Sequence, residues 1–261
     1  MNRRKLLITG AAGKVGGSIT AGLRALDRYD IIAADLEANR QEEIVELNVT
    51  DADRWLELTR GVDTVIHNSW AKDNEDFLGM VLPVNVTGAY HLYEAARING
   101  VRRVVFASSN HAMGFYRVGE EAAVDDPYRP DSLYGLSKCY IELLGRYYSD
   151  KYDLSSINIR IGNFPGDDRP HSERSLHIWI SDRDLVQLAA CCVEADDSHR
   201  FLSLYGTSAN TDNYYDIGYL AELIGYRPQD DAAELLAASG LSEDDIKQDE
   251  TAFQGGVKRE R

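Results

Sequence analysis

A tyrosine and a lysine four residues apart, Tyr134 and Lys138, are the side chains in this chain best suited to move a proton. On a helix they share one face, a turn apart. A free phenol ionises near pH 10, so about one in a thousand is charged at neutral pH. An ammonium beside it favours the phenolate, and lowering its pKa by about three units corresponds to about 4 kcal/mol. Such a phenolate takes a proton from an alcohol while hydride leaves the same carbon. The spacing alone also fits an ordinary exposed helix pair, and the chain has 15 tyrosines. Position separates the two readings. The pair follows Arg103-Val-Val-Phe-Ala-Ser-Ser109-Asn110-His111, an apolar run ending in two serines. Strand ends of that kind form the rim where α/β sheets place their sites. Ser109 there can hydrogen-bond the oxygen that the tyrosine deprotonates.

A second set of residues suits a dinucleotide. Leu6-Leu7-Ile8 leads into Thr9-Gly-Ala-Ala-Gly-Lys-Val-Gly16, with glycines at Gly10, Gly13 and Gly16. A strand, a glycine turn and a helix start bring free N–H groups and a positive dipole end to a pyrophosphate. Three glycines also make a plain turn. Asp35 shifts the balance. It ends the apolar run Ile31-Ile-Ala-Ala-Asp35, 19 residues after Gly16. An acid there accepts from the adenosine ribose hydroxyls and repels a 2′-phosphate, which favours NAD over NADP.

Together Gly10, Gly13, Gly16, Asp35, Ser109, Tyr134 and Lys138 resemble the extended short-chain dehydrogenases/reductases of the NAD-dependent epimerase/dehydratase family. The nearer likeness is to uronate dehydrogenases. It is carried by Asn85-Val-Thr-Gly-Ala-Tyr-His-Leu-Tyr-Glu-Ala-Ala-Arg97, Val105-Phe-Ala-Ser-Ser-Asn-His111 and Arg129-Pro-Asp-Ser-Leu-Tyr-Gly-Leu-Ser-Lys-Cys139. Arg160-Ile-Gly162 and Tyr205-Gly-Thr-Ser-Ala-Asn210 add to it, and the likeness runs from residue 5 to about 228. It implies NAD-dependent oxidation of a cyclic sugar acid, a hexuronate, at C1. Tyr134 is then the base, Lys138 holds the ribose, and Ser109 orients the hydroxyl. Cofactor contacts are implied at Lys14, Val15, Leu36, Asn48, Val49, Asn68, Ser69, Trp70, Asn85 and Ile161, besides the glycines, Asp35, Tyr134 and Lys138. A neutral aldose 1-dehydrogenase of the arabinose type, a sugar epimerase and a non-catalytic NAD-binding regulator are the other readings. An epimerase normally needs a bigger lobe, and a regulator commonly loses the Tyr or Lys.

On the substrate side, the resemblance gives Arg174 as the clamp on the sugar carboxylate, and a guanidinium fork suits that task. A loop arginine paired with Glu173 or Asp168 is the plainer alternative. Asn110 and His111 match residues that bond sugar hydroxyls; His111 can equally be a packed histidine. His67 reads as structural. Several positions depart from the family. Asn68-Ser69-Trp70 replace small residues, and Trp70 either packs beside the nicotinamide or is core. Lys72 falls where the family has a substrate-touching Ser, and it either binds a carboxylate or faces solvent. Asn163-Phe164 replace a Ser-Cys pair in a loop about two residues longer. Asn48-Val49 replace an Asp-Leu pair at the adenine, where Asn can still accept from the amino group. These changes bear on the substrate more than on the chemistry.

Composition sets the frame. With 261 residues, one domain, 1–261, is expected. The formal net charge of −15 disfavours nucleic acid and anionic membranes as partners. Of 28 basic residues only seven are Lys, a balance that fits high-salt adaptation and an ordinary acidic enzyme alike. No apolar run approaches a membrane span. Three cysteines give neither a disulfide framework nor metal-ligand spacing, so a cytoplasmic, metal-free protein is expected.

The elements that must position these residues alternate. Strands are expected at 5–9, 31–34, 44–47, 63–67, 103–108, 156–161 and near 201–205, and helices at 14–26, 52–60, 76–99, 131–153 and 181–195. Pro83 belongs in or before the first turns of its helix. The pattern predicts an α/β fold: a Rossmann-type doubly wound parallel sheet with a small C-terminal substrate lobe, built from about 162–180 and 206–250. Loops at 109–130 and 162–180 are expected to overhang the cofactor, 230–250 to form short acidic helices, and 254–261 to be mobile. Helices 76–99 and 131–153 are candidates for a homo-oligomer interface.

Overall fold

Apolar runs with no alternation of polarity suit strands buried on both faces, as in a parallel sheet between helix layers. A computed structural model describes residues 3–71, 76–240, 245–248 and 251–256, and it has this architecture. The strands are β1 (Arg4–Thr9), β2 (Tyr29–Asp35), β3 (Ile44–Glu46), β4 (Thr64–His67), β5 (Arg103–Ser109), β6 (Ser155–Ile161) and β7 (Phe201–Gly206). All neighbours are parallel, in the order β3-β2-β1-β4-β5-β6-β7. The order reverses between β1 and β4, which opens a crevice at their C-terminal ends.

Successive strand residues face opposite layers. Leu6 and Ile8 pack under α1 (Lys14–Ala25) and α6 (Asp182–Glu194). Leu7 and Phe106 pack under α2 (Ala52–Leu58), α3 (Gly88–Ile98) and α4 (Leu133–Tyr152). The seven residues of β6 are all buried, Arg160 included. Its charge is met by Glu142 of α4 at 2.9 Å, with Tyr128 and Ser203 also donating to Glu142. That buried pair fixes α4 one turn beyond Lys138.

The expected strands and helices are present, with three differences. The helix expected at 76–99 has two windings: Phe77–Thr87 is a π-helix containing Pro83, and Gly88–Ile98 is α3. Proline has no N–H to give and clashes with the carbonyl four residues back, and the wider winding accommodates it without a break. The segment 162–180 is not all loop. It holds α5 (Glu173–Ile178), started by Ser172 and Ser175 capping each other's backbone N–H. Leu176 and Trp179 pack on α8 (Ala232–Ala238), while α7 is the short Leu220–Leu223.

The beginning of the supposedly mobile tail is fixed. Gln254 is buried, and its Nε2 donates to the carbonyls of Arg117 (3.0 Å) and Glu120 (2.6 Å). Residues 257–261 lie outside the described residues.

Candidate active site

The glycine loop leaves β1 and must pass close to the end of β4. Gly10 has φ +68°, and a Cβ there would stand 2.9 Å from the backbone of Asn68 and Ser69. A Cβ on Gly16 would stand 2.2 Å from the Gly10 carbonyl oxygen. Only glycine fits at either place. Gly13 then begins α1 with no side chain capping it.

The crevice is a groove of about 670 Å³. Gly10, Gly13, Lys14, Val15 and Gly16 line it from the first loop, and Asp35 and Leu36 from the end of β2. Asn48 and Val49 line it after β3, and Asn68, Ser69 and Trp70 after β4. Asp35 Oδ2 accepts from the Ala12 amide (2.8 Å) and Oδ1 from its neighbour's amide (2.7 Å). Those bonds orient the carboxylate and leave it lone pairs for ribose hydroxyls. Lys14 Nζ donates to the Pro165 carbonyl at 2.8 Å, tying α1 to the loop after β6. Buried Asn68 donates to Thr9 through Nδ2, and its Oδ1 has no protein partner.

Sequence reasoning also passed over Ala12, Leu47, Ala71, Met80, Val84 and Phe164, which line the same groove. Met80 and Val84 come from the π-helix, whose winding no local signal announced. Ala12 and Leu47 sit inside motifs already recognised and were within reach.

Some expected contacts fall elsewhere. Asn48 Oδ1 accepts from both the amide (3.0 Å) and the hydroxyl (2.8 Å) of Thr50. Its acceptor capacity is spent locally, so what it offers the groove is its Nδ2 donor, not the acceptor expected for adenine. Asn85 is buried and does not line the groove. Its Oδ1 accepts from the Ala71 amide (2.8 Å) and its Nδ2 donates to Ser137 (2.9 Å), bridging the segment after β4 to α4. Ile161 is packed in the core. Among the residues lining the groove none comes from the loop 109–130, whereas Phe164 comes from the other loop.

Against Trp70 of the groove lining, β5 and α4 bring Ser109, Tyr134 and Lys138 together. Ser132 caps α4 by accepting from the Gly135 amide at 3.0 Å, which sets where Tyr134 and Lys138 stand. Lys138 is fully buried and Nζ donates to the Ala107 carbonyl at 2.7 Å. It lies 5.2 Å from the Tyr134 ring centre and 5.5 Å from that of Trp70. Trp70 and His111 both meet Tyr134 edge-on, at 6.1 and 5.8 Å between ring centres. Trp70 is therefore not core: it stands at the mouth, 40 % exposed.

Burial is the largest influence on each titrating group. It pushes the Tyr134 phenol up to about 12, Asp131 adding to this while the Ser109 hydroxyl opposes it. It pulls the Lys138 ammonium down to about 7, against Glu142. Burial of the phenol thus works against the phenolate expected from the Tyr–Lys spacing, and a positive charge brought close to it would favour that form.

The substrate side gathers residues far apart in sequence. His111 Nδ1 lies 2.9 and 3.0 Å from the Asp131 carboxylate oxygens. Asn110 is buried beside Ser109, its side chain close to the Tyr215 phenol. Arg174 Nε donates to the Gln254 carbonyl at 2.6 Å. Tyr215 connects the last two: burial raises its phenol, while the Arg174 charge and the Asn110 side chain oppose this. Asn163 extends β6 by a backbone bridge to Trp179. Lys72 lies outside the described residues. His67, fully buried, shares a 2.7 Å hydrogen bond with Thr9 and is held down at about 3 by burial, then by Lys138. Among the described residues no cluster of His, Cys, Asp and Glu could hold a metal ion.

The groove fits a dinucleotide by its donor set: a glycine cradle that a Cβ would fill and an oriented carboxylate, with the buried Lys138 ammonium beside Trp70. Known proteins agree. Residues 6–187 match the NAD dependent epimerase/dehydratase family. A uronate dehydrogenase of Pseudomonas putida is 37% identical over 97% of this chain and 94% of its own length. An NAD-dependent glucose-6-phosphate dehydrogenase of Haloferax volcanii is 37% identical over 88% of this chain and 94% of its own. A mutant uronate dehydrogenase from Agrobacterium tumefaciens, complexed with NAD, superposes with a TM-score of 0.84 at 33% identity, covering 98% of this chain and 96% of that one. By sequence and by fold, this chain belongs to the NAD-dependent epimerase/dehydratase family.

Proposed function

We propose that the chain is an NAD-dependent oxidoreductase that converts a cyclic hexuronate, at C1, to the aldarolactone. The observation that carries this reading is the meeting of Ser109, Tyr134 and Lys138 against Trp70, a residue that lines the same groove as Asp35. Ser109 orients the C1 hydroxyl, and Tyr134 takes its proton. Lys138, fixed through one N–H to Ala107, has two more for the ribose hydroxyls. Asp35 holds the adenosine ribose. NAD, when bound, supplies the hydride acceptor and the positive charge that lowers the Tyr134 phenol. Asn110 and His111 bind sugar hydroxyls, Arg174 the carboxylate.

The reading takes 1–261 as one Rossmann-type domain whose substrate lobe comes from 162–180 and 206–250. Leu82 and Tyr90 on one helical stretch and Leu136, Leu143 and Tyr147 on α4 are exposed, which supports a homo-oligomer through these helices. Among the described residues no helix is long and apolar enough to cross a membrane. The acidic surface speaks against nucleic acid, and the three free cysteines fit a cytoplasmic setting.

The test is a panel of glucuronate, galacturonate, glucose, arabinose and glucose 6-phosphate with NAD and with NADP, read by reduced-cofactor absorbance. Uronates with NAD are expected to lead. Preference for a neutral sugar or the phosphate ester overturns the substrate. NAD binding with no turnover on any sugar indicates a regulator.

A further inference from the structure

Asp131 is wholly buried at its carboxylate, in the loop just before α4. Two glycines press on it from separate parts of the chain. A Cβ on Gly114 would fall 2.0 Å from its Oδ2, and a Cβ on Gly255 only 1.7 Å from the same atom. Neither glycine has a positive φ, so room for the carboxylate, not backbone conformation, demands glycine at both. The Gly255 amide donates to the Gly114 carbonyl at 2.9 Å, closing the clamp. The segment 251–256 is anchored there by backbone bonds from Val118 to Ala252 (3.0 Å) and from Gln254 to Tyr116 (2.9 Å), besides the buried Gln254 side chain.

What the clamp holds is His111. Both carboxylate oxygens lie within 3.0 Å of its Nδ1, and Ser132 Oγ donates to Oδ1. A carboxylate accepts, so in the neutral ring the proton belongs on Nδ1 and Nε2 is left as an acceptor. The same ring stands edge-on to Tyr134. The same segment also receives Arg174 through the Gln254 carbonyl.

We infer that Asp131 is a positioning residue that locks His111 with Nε2 as acceptor for a substrate hydroxyl, and that the segment 251–256, by closing the Gly114–Gly255 clamp, is a working part of the substrate site. The inference rests on the active-site reading given above. A carboxylate clamped in this way restricts both the ring's orientation and its tautomer.

Histidine ¹⁵N NMR reads the tautomer without any turnover. With His111 assigned by His111→Gln, the unaltered protein is expected to carry the proton on Nδ1 and none on Nε2. Asp131→Asn is expected to move the proton toward Nε2 and to lower kcat/KM for the sugar about 10- to 100-fold, with NAD affinity unchanged. Gly255→Ala is expected to act in the same direction. A proton on Nε2 in the unaltered protein overturns the inference, and this holds even should the variants fail to fold. So does an Asp131→Asn protein with the original tautomer and full turnover. Absence of sugar turnover in the unaltered protein removes the functional reading instead, and leaves the tautomer assignment standing or falling on its own spectrum.

Discussion

The two ends of the active site are built by different rules. The cofactor end is assembled from consecutive strand ends, mostly through backbone: Gly10 against Asn68 and Ser69, Gly16 against Gly10, and Asp35 steadied by the Ala12 amide. The proposed substrate end is assembled from 110–131, 174 and 251–256, through side chains that reach across the fold. A site made from neighbouring turns is held by contacts between adjacent strand ends. A site made from distant segments can be altered piece by piece.

The largest expected effect is at the seam. Tyr134→Phe keeps the ring that Trp70 and His111 pack on but removes the hydroxyl. Turnover is expected to fall about 10²- to 10⁴-fold, with NAD affinity little changed. The rise of kcat/KM with pH, as the phenol loses its proton, goes with it. Turnover like the parent's would remove Tyr134 as the base. Next, Arg174→Ala touches only the substrate end. It should cost uronates about 10- to 100-fold in kcat/KM and neutral sugars little. Equal losses on both would deny the clamp.

Asp35→Ala touches only the cofactor end. Its preference for NAD over NADP should narrow about tenfold at equal sugar KM, and a changed sugar KM would blur the division between the ends. The smallest effect concerns stability. Burial holds His67 at about 3, below its ordinary 6.5. Between those values the unfolded chain binds a proton that the native one does not, so stability declines as pH drops from 6.5 toward 3. His67→Gln should flatten that decline in urea midpoints measured at intervals across the window. An unchanged slope would assign the acid sensitivity to other groups.

The contrast also explains what the chain reveals before it is folded. Seven strands, the glycine loop and Asp35 follow from local pattern, because glycine turns and apolar runs act on their immediate neighbours. The π-helix does not, since Pro83 signals an interruption without naming the winding that absorbs it. Asn85 carries a family signature yet serves as a brace between Ala71 and Ser137. The buried Gln254 could not be foreseen from a polar, glycine-rich stretch, since its partners at 117 and 120 lie 137 and 134 residues earlier in the chain. The raised Tyr134 phenol was hidden for a similar reason: spacing shows the ammonium but not the depth of burial.

Three tryptophans divide sharply by environment. Trp55 and Trp179 are sealed in the interior, while Trp70 alone stands 40 % open, at the mouth of the groove and against Tyr134. Long-wavelength fluorescence, and its loss to acrylamide or iodide, therefore reports chiefly on one indole. The protein carries its own optical probe for ligand entry, and titrations can follow occupancy with no dye attached.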